Sequence, residues 1–210
     1  MHPFPFKLYL VISEEACAGR SLLWVAEQAV RGGVDVVQLR EKHKTTAAFT
    51  ETARQLKALL DTYNVPLIIN DKIKVAMAVN AAGLHVGNND LPPKEVKRLW
   101  PECQHLGWSV EYLEQLDSEQ MQYVNHLGVS PVFNTVTKTD TVTEWGLSGI
   151  EKIRSLTDVP LVAIGNMNAA NARAVIKAGA DCIAVVSAIC AAADPKLAAM
   201  EILKQIENHD

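Results

Sequence analysis

Residues 36–42 read VVQLREK, a short apolar run that ends abruptly in charged side chains. The run has the β-branched, continuous apolar character of a strand that is covered on both faces, as strands of parallel sheets are. A helical pattern of apolar residues ends just before it at Gly32-Gly33, and a longer one begins near residue 46. This stretch therefore predicts one strand–helix unit, with polar side chains placed where the strand ends.

The same organisation recurs along the whole chain. A first apolar run covers residues 7–13, and six later runs end in a polar or glycine cluster: PLIIND (66–71), LHVGNND (84–90), LGWS (106–109), SPVFNTVTK (130–138), LVAIG (161–165) and IAVVS (183–187). Helical patterns separate them, which gives eight strands and eight helices. Repeated units of this size imply a parallel sheet with right-handed crossovers. Eight of them predict a closed (β/α)8 TIM barrel, with a doubly wound open sheet as the alternative.

Helical spacing also predicts the approximate bounds of the connecting helices. Pro92-Pro93 suits the first turn of the fourth helix. The other main predictions are helices at 46–63, 111–123, 147–156 and 168–179, and a terminal helix that ends near residue 207. No Pro/Ser-rich linker or charge block divides the chain, so we expect one barrel domain over residues 1–210.

Composition narrows the classes of function. A net charge of −4 disfavours a broad nucleic-acid surface but permits a local basic pocket. No apolar run approaches the roughly 18 residues of a membrane span. The cysteines at 17, 103, 182 and 190 form no C-x-x-C pair, which favours buried reduced thiols over disulfides or zinc ligands. We expect a cytoplasmic protein that binds small molecules and neither nucleic acid nor membrane. A homo-oligomer stays open.

A basic triplet follows the second predicted strand. Alternation along an extended strand puts Gln38, Arg40 and Lys42 on one side. Two cations and an amide at the end of a barrel strand suit a polyanion, because Arg offers a planar fork and Lys a point charge. A solvated charge run is the alternative, but an apolar strand directly precedes these residues. The pattern therefore favours an anion-binding role.

Carboxylates follow the third and fourth predicted strands. Asn70-Asp71 and Asp90 are oxygen-rich, and such residues suit Mg²⁺, which keeps several waters and takes further ligands from substrate phosphates. Each aspartate has an ordinary alternative as a helix N-cap, since Lys72 begins a helical pattern and Pro92 follows Asp90 closely. Their placement on adjacent loops that face the basic triplet favours the metal site.

Phosphate-binding candidates follow the last three predicted strands. Residues 135–138 (TVTK) combine hydroxyls with a lysine, although a plain surface loop is the alternative. Gly165 ends the seventh strand, and Val186-Ser187 ends the eighth. Phosphate sites of this fold commonly use these two loops and the N-terminus of a short extra helix. His85 alternates with apolar neighbours, which favours a satisfied core histidine over a ligand. No Ser/His/Asp nucleophile arrangement is found.

Taken together, these segments resemble the thiamine phosphate synthase family over nearly the whole chain. The family's motifs match Gln38, Arg40 and Lys42 (Q-x-R-x-K), Asn70-Asp71 (N-D), Asp90, Ser109, Thr135, Thr137 and Lys138 (T-x-T-K), Ala163-Ile164-Gly165 (A-I-G) and residues 185–189 (V-V-S-A-I). Some positions depart from the family. Asn166 stands where a second glycine is usual, Asn134 and Val136 replace prolines, and Glu111 stands where histidine is frequent. Asparagine tolerates the left-handed backbone, so the phosphate loop is expected to persist.

The resemblance implies an Mg²⁺-dependent transferase of thiamine biosynthesis. It would couple hydroxymethylpyrimidine diphosphate to a thiazole phosphate, with or without a carboxylate, and yield thiamine phosphate and pyrophosphate. Asp71 and Asp90 would bind the metal. The resemblance gives catalytic roles to Arg40, Lys42 and Lys138, and substrate-binding roles to Gln38, Leu39, Glu41, Asn70, Ser109, Thr135, Val136, Thr137, Gly165, Val186 and Ser187.

Two other functions stay open on the sequence. A related thiazole tautomerase would need neither diphosphate nor Mg²⁺, and its catalytic histidine is expected near position 111, where this chain has glutamate. A non-catalytic barrel that senses a phosphorylated metabolite belongs to a different class. Magnesium-dependent turnover separates that sensor from the transferase, because a sensor would bind without releasing pyrophosphate.

Overall fold

The computed structural model describes residues 4–134 and 143–207, and those residues contain eight strands that are all parallel. The strands are β1 (Leu8–Ile12), β2 (Val36–Leu39), β3 (Leu67–Asn70), β4 (Gly83–Val86), β5 (His105–Val110), β6 (His126–Val129), β7 (Leu161–Ile164) and β8 (Cys182–Val185). Each pairs with the next, and β8 pairs back with β1, with Leu8 opposite Ile183. The closed barrel confirms the predicted (β/α)8 fold and excludes the doubly wound open sheet.

Helices surround the barrel between successive strands. In the described residues they are α1 (Leu22–Arg31), α2 (Thr46–Asp61), α3 (Ile73–Ala78), α4 (Pro93–Leu99), α5 (Gly146–Arg154), α6 (Ala172–Lys177), α7 (Ser187–Cys190) and α8 (Pro195–Glu207). None of these described helices has the length and apolar character needed to cross a membrane. Pro93 opens α4 as predicted.

Two predicted helices are wrong in part. The segment expected as a helix at 111–123 forms two short 3₁₀ helices instead, Leu113–Asp117 and Glu119–Tyr123. Ser118 separates them with an extended backbone, and its hydroxyl accepts a hydrogen bond from the Gln120 amide. The helix expected from residue 168 begins only at Ala172, because Asn168 and its neighbours use their side chains to bond loop amides.

Outward-facing strand residues and the inner faces of the helices form the outer core. Helix α1 shows the pattern: the Ser21 hydroxyl caps its first turn by accepting from the Trp24 amide, and one apolar face is buried. On the strands, side chains such as Leu10 and Leu39 are fully buried in this layer. Burying one such leucine contributes about 1.5–3 kcal/mol. The outer layer therefore fixes which side chains must point into the barrel.

Inward-facing side chains fill the lower half of the barrel. Phe4, just before β1, closes the amino end and stacks on His126 with ring centroids 4.2 Å apart. Burial holds the pKa of His126 well below its usual range, so the ring is neutral. Gly107 on β5 leaves the space that the rings of His126 and His85 occupy, since a Cβ there would collide with both. The four cysteines are free and buried, as predicted.

Candidate active site

Two adjoining cavities open at the carboxyl ends of the strands. The first, of about 260 Å³, lies over β2 to β5 and is called here the carboxylate cavity. The second, of about 330 Å³, lies over β1, β7 and β8 and is called the glycine-loop cavity. Arg40, Ser130 and Ile164 line both. The polar strand ends that the structure describes therefore converge, and they divide between two adjoining cavities.

Gln38 and Arg40 point into the barrel from the end of β2. The Gln38 side chain is only 5 % exposed, and its Nε2 donates to the Tyr9 hydroxyl over 2.8 Å. Burial raises the pKa of Tyr9, so the phenol stays neutral and this bond fixes the orientation of the amide. Lys42 is exposed at the rim of the carboxylate cavity. The triplet thus shares one side of the strand, as its alternation predicts.

Leu39 and Glu41, the residues between the triplet, face elsewhere. The Leu39 side chain is fully buried in the outer core, so its placement does not support the expected substrate contact. The Glu41 carboxylate accepts a hydrogen bond from the Glu14 amide over 2.8 Å, which ties the β2 loop to the β1 loop. The same alternation that turns Gln38 and Arg40 inward turns these two side chains away from the cavity.

Asp71 and Asp90 form a carboxylate pair at the ends of β3 and β4. Their carboxylates interact with each other, and the Asp90 Oδ2 also accepts a hydrogen bond from the Gly87 amide over 2.8 Å. Burial and the charge of Asp90 raise the pKa of Asp71 to about 6, while Arg40 acts in the opposite direction. Asp71 also adopts a left-handed backbone, with φ of 59°. A strained, paired carboxylate is typical of a functional site.

The structure decides against the N-cap alternative for both aspartates. Helix α3 has Lys72 at its N-cap and α4 has Pro92, and neither cap makes a side-chain hydrogen bond. In the described residues neither carboxylate bonds a first-turn amide of these helices, and Asp90 Oδ2 accepts from the Gly87 amide instead. The two carboxylates are therefore available to a ligand of the cavity.

The donor set fits Mg²⁺ as a partial site. The described residues contain no cluster of three or more His, Cys, Asp or Glu side chains that could enclose a metal ion by themselves. Mg²⁺ is commonly held by one or two carboxylates, with waters and substrate phosphates completing the octahedron. Asp71 and Asp90 supply two such carboxylates beside a cavity that Asn70 also lines.

Ser109 and His85 form the floor of the carboxylate cavity. The Ser109 hydroxyl lies 3.0 Å from His85 Nε2, and both residues line the cavity. The sequence interpretation placed His85 correctly inside the barrel but missed that it borders the candidate site. The signal was available, because glycine interrupts the next two strands at Gly107 and Gly128, and glycine within a strand marks a close approach.

A turn after β7 borders the glycine-loop cavity. Gly165 has φ of 117°, and a Cβ there would lie 2.7 Å from the Pro131 Cβ, so glycine is required by backbone and by space. Asn166 has φ of 53°, which confirms that asparagine sustains the left-handed turn. Its carbonyl accepts from the side-chain amides of Asn168 (3.1 Å) and Asn171 (2.9 Å), so neighbouring side chains hold the turn in place.

The short helix α7 follows β8 at the same cavity. Val186 precedes it, Ser187 is its first residue, and both line the glycine-loop cavity. This is the position at which the fold commonly carries its extra phosphate-binding helix. Thr135, Val136, Thr137 and Lys138 lie outside the described residues, so their roles remain sequence predictions.

Fold and site together define a class: a (β/α)8 barrel whose carboxyl end combines a carboxylate pair, an arginine and a glycine turn suited to anions. Comparison with known proteins gives the particular family. Residues 8–189 match the family described as thiamine monophosphate synthase, and the chain belongs to it.

Similar proteins extend the match to nearly full length. A thiamine-phosphate synthase of Albidiferax ferrireducens is 49 % identical over 96 % of this chain and 92 % of that protein. One from Shouchella clausii is 40 % identical over 97 % of each chain. The solved thiamine phosphate pyrophosphorylase of Pyrococcus furiosus superposes with a TM-score of 0.89 at 32 % identity, covering 98 % and 97 % of the two chains. A 3-hexulose-6-phosphate synthase structure, with a TM-score of 0.70 and 20 % identity, shares the fold alone.

Proposed function

We propose that this protein is a thiamine phosphate synthase. It couples hydroxymethylpyrimidine diphosphate to a thiazole phosphate and releases pyrophosphate. Family membership over residues 8–189 gives the reaction class, and the observation that carries the assignment to this site is the Asp71–Asp90 pair. A divalent cation neutralises such a pair and can bind a diphosphate at the same time, whereas a tautomerase on thiazole phosphate has no need of the pair.

The carboxylate cavity suits the diphosphate half of the reaction. Asp71 and Asp90 would hold Mg²⁺, which when bound supplies charge stabilisation for the departing diphosphate. Arg40 lies beside Asp71 and has the planar fork that binds phosphate oxygens in pairs. Lys42 at the rim adds a second positive charge. Lys138, from the sequence motif, completes the proposed set of cations that stabilise the leaving group.

The floor of the same cavity suits the pyrimidine ring. Gln38, Asn70 and Ser109 present amide and hydroxyl groups, and their orientations are set by the barrel. The bond from Gln38 to Tyr9 and the contact of Ser109 with His85 leave little rotational freedom to those two side chains. Groups held in this way position a heteroaromatic ring without reorganisation during the reaction.

The glycine-loop cavity suits the thiazole phosphate. The bare backbone at Gly165 lets a phosphate approach closely, and Val186-Ser187 brings the start of α7 to the same space. Thr135, Val136 and Thr137 would close this side, as the sequence motif implies. The two cavities share Arg40, Ser130 and Ile164 as walls, so the two substrates would meet at that boundary.

The chemistry we propose is a dissociative displacement. The bond between the pyrimidine methylene carbon and the diphosphate oxygen breaks, and the electron pair leaves with pyrophosphate. The thiazole nitrogen then donates its lone pair to the methylene cation and forms the new carbon–nitrogen bond. No side chain acts as a nucleophile, so the protein's contribution is orientation and stabilisation of charge.

Strands from both ends of the described chain contribute to this site, so we also propose that residues 1–210 act as one domain. The barrel closes only when β1 pairs with β8, which joins the two ends of the described chain. Four buried reduced thiols favour a cytoplasmic setting.

The test uses purified protein, both substrates and Mg²⁺. Thiamine phosphate is followed by oxidation to its fluorescent product, and pyrophosphate is measured in parallel. We expect both products in equal amounts, with turnover that depends on magnesium. Substrate binding without pyrophosphate release would favour the sensor, and isomerisation of the thiazole alone would favour the tautomerase. Either outcome would overturn the proposal.

A further inference from the structure

Gln115 lies behind the carboxylate cavity, in the 3₁₀ helix Leu113–Asp117, and makes hydrogen bonds with both ends of its amide. Its Oε1 accepts from the backbone amides of Glu111 (2.7 Å) and Tyr112 (2.9 Å). Its Nε2 donates to the Ser109 carbonyl over 3.0 Å and to Asn88 Oδ1 over 2.7 Å. The side chain does not line either cavity, so it reaches the site only through its neighbours.

Asn88 is the partner that connects this amide to the metal loop. Its Nδ2 donates to Glu111 Oε2 over 2.9 Å and to Gln115 Oε1 over 3.3 Å. Asn88 belongs to the tight turn in which the amide of Gly87 bonds the carboxylate of Asp90 and the amide of Asp90 bonds the carbonyl of Gly87. Asn88 is therefore held by Gln115 and Glu111 on the β5 side and by the Asp90 turn on the β4 side.

The two halves of the Gln115 amide have different tasks. The oxygen caps the local 3₁₀ turn, which is an ordinary structural role, and it also accepts the longer bond from Asn88 Nδ2. The nitrogen is not needed for the cap. It bonds one group at the end of β5 and one group of the Asp90 loop, and these are the two places from which Ser109 and Asp90 face the cavity.

We propose that Gln115 is a positioning residue that holds the Asp90 loop against the end of β5, so that the metal carboxylate and the pyrimidine-facing Ser109 keep one fixed separation. The inference rests on the proposed function and adds to it the residue on which the geometry of the diphosphate half depends. It also assigns a role to Glu111. The Glu111 carboxylate accepts from the Asn88 amide and so holds Asn88 Oδ1 in position to accept from Gln115.

The variant Gln115→Glu separates the two tasks. It keeps an oxygen that can accept from the amides of Glu111, Tyr112 and Asn88, but it removes the donor to the Ser109 carbonyl and to Asn88 Oδ1 and places a second carboxylate near Glu111. Asn88→Ala removes the same connection from the other side and leaves the cap intact. Gln122→Glu is the matched control, because Gln122 is exposed on the next 3₁₀ helix and, within the described part of the chain, its amide bonds locally to the Glu119 carbonyl.

Two readouts are measured on each full-length variant. The first is the melting temperature with and without Mg²⁺ as the only added ligand. The second is steady-state turnover with magnesium and each substrate varied in turn. For Asn88→Ala we expect a metal-free melting temperature close to that of the unmodified protein, and for Gln115→Glu a small decrease, because the new oxygen faces the Ser109 carbonyl and lies near the Glu111 carboxylate. We expect roughly a 10-fold rise in the magnesium concentration for half-activation, since groups that orient metal ligands typically contribute about 10–100-fold. The KM for thiazole phosphate should not change.

The outcomes distinguish this inference from the proposed function. If the unmodified protein releases no pyrophosphate, the proposed function fails whatever the variants do. If it turns over and both variants keep its magnesium dependence, the positioning role is wrong. The inference would also be overturned if the magnesium concentration for half-activation and the KM values of both substrates rose together, or if Gln122→Glu caused the same rise. Either result would indicate a general structural effect.

Discussion

Replacing Asp90 by asparagine should make the metal-free protein more stable and the enzyme nearly inactive. Asparagine retains an oxygen that can accept from the Gly87 amide, and its amide can donate to the Asp71 carboxylate. The change therefore removes the repulsion between two adjacent carboxylates without removing the local hydrogen bonds. It also removes one of the two carboxylates proposed to hold Mg²⁺.

The size of the stabilisation follows from the pKa of Asp71. That pKa is raised from 3.8 to about 6, by burial first and by Asp90 second. One pKa unit corresponds to about 1.36 kcal/mol, so the whole shift corresponds to at most ~3 kcal/mol. Since burial is the larger cause and Asp71 is partly solvated, we assign about 1 kcal/mol to the charge of Asp90. In a protein of this size that amounts to about 2–4 °C in melting temperature.

The raised pKa of Asp71 also determines how the stability of the protein changes with pH. A carboxyl group whose pKa is raised on folding contributes stability at low pH and loses it as pH rises through the folded-state value. The metal-free protein should therefore lose stability from this group between about pH 4 and pH 7. Asp90→Asn should lessen that loss, and it should abolish most of the stabilisation that Mg²⁺ gives the unmodified protein at pH 8.

The assay is thermal or urea unfolding with chelator and with Mg²⁺, at low and high pH, together with pyrophosphate release. Asp158→Asn is the control, because Asp158 is an exposed carboxylate in the loop before β7. If Asp90→Asn lowers metal-free stability at pH 8, or if Mg²⁺ still stabilises it fully, the carboxylates do not repel each other as inferred and the metal assignment loses its basis.

Three further changes test other parts of the site. Lys138→Ala should lower kcat by about 10²–10³-fold without changing the unfolding transition, because it removes one contact that stabilises charge. Lys152→Ala, on the exposed face of α5, is the control. Normal turnover of Lys138→Ala, or an equal effect of both changes, would exclude Lys138 from the mechanism. Asn171→Ala removes the hydrogen bond to the Asn166 carbonyl in the turn after β7. It should raise the KM for thiazole phosphate several-fold more than the KM for the pyrimidine diphosphate. Equal effects in substrate titrations would contradict the division into two subsites. Gly107→Ala should destabilise the protein by about 1–3 kcal/mol in urea unfolding, because the methyl group collides with the rings of both His126 and His85; a neutral result would show that the barrel interior is loosely packed.

The strand order and the polar strand ends could be predicted from the sequence because both follow from short-range rules. Each apolar run is short, is bounded by turn residues and alternates with a helical pattern, so the barrel follows once there are eight units. Alternation alone placed Gln38 and Arg40 on one face. The same alternation turns the Leu39 side chain outward, into the outer core.

The parts that the sequence did not reveal depend on contacts between distant segments. His85 has the same local pattern as a core histidine, and its position beside Ser109 is known only once β4 and β5 are paired in register. Gln115 has no motif, because its importance lies in bonds to Asn88, 27 residues away. The helix expected at 111–123 failed for a related reason: the bonds made by Gln115 and Ser118 favour two tight 3₁₀ turns over one continuous helix.

Arg40 borders both cavities and would link the two halves of the proposed reaction. It follows β2, where its backbone amide bonds the carbonyl of Ile12, and its side chain borders both spaces. The positive charge of Arg40 lowers the pKa of Asp71 but does not cancel the effects of burial and of Asp90. The negative charge of the carboxylate pair is therefore only partly neutralised. A magnesium ion that enters with a diphosphate would neutralise the remaining negative charge and would free Arg40 to bind phosphate oxygens. Metal and diphosphate would therefore bind together, and the methylene carbon would be released at the wall shared with the thiazole subsite.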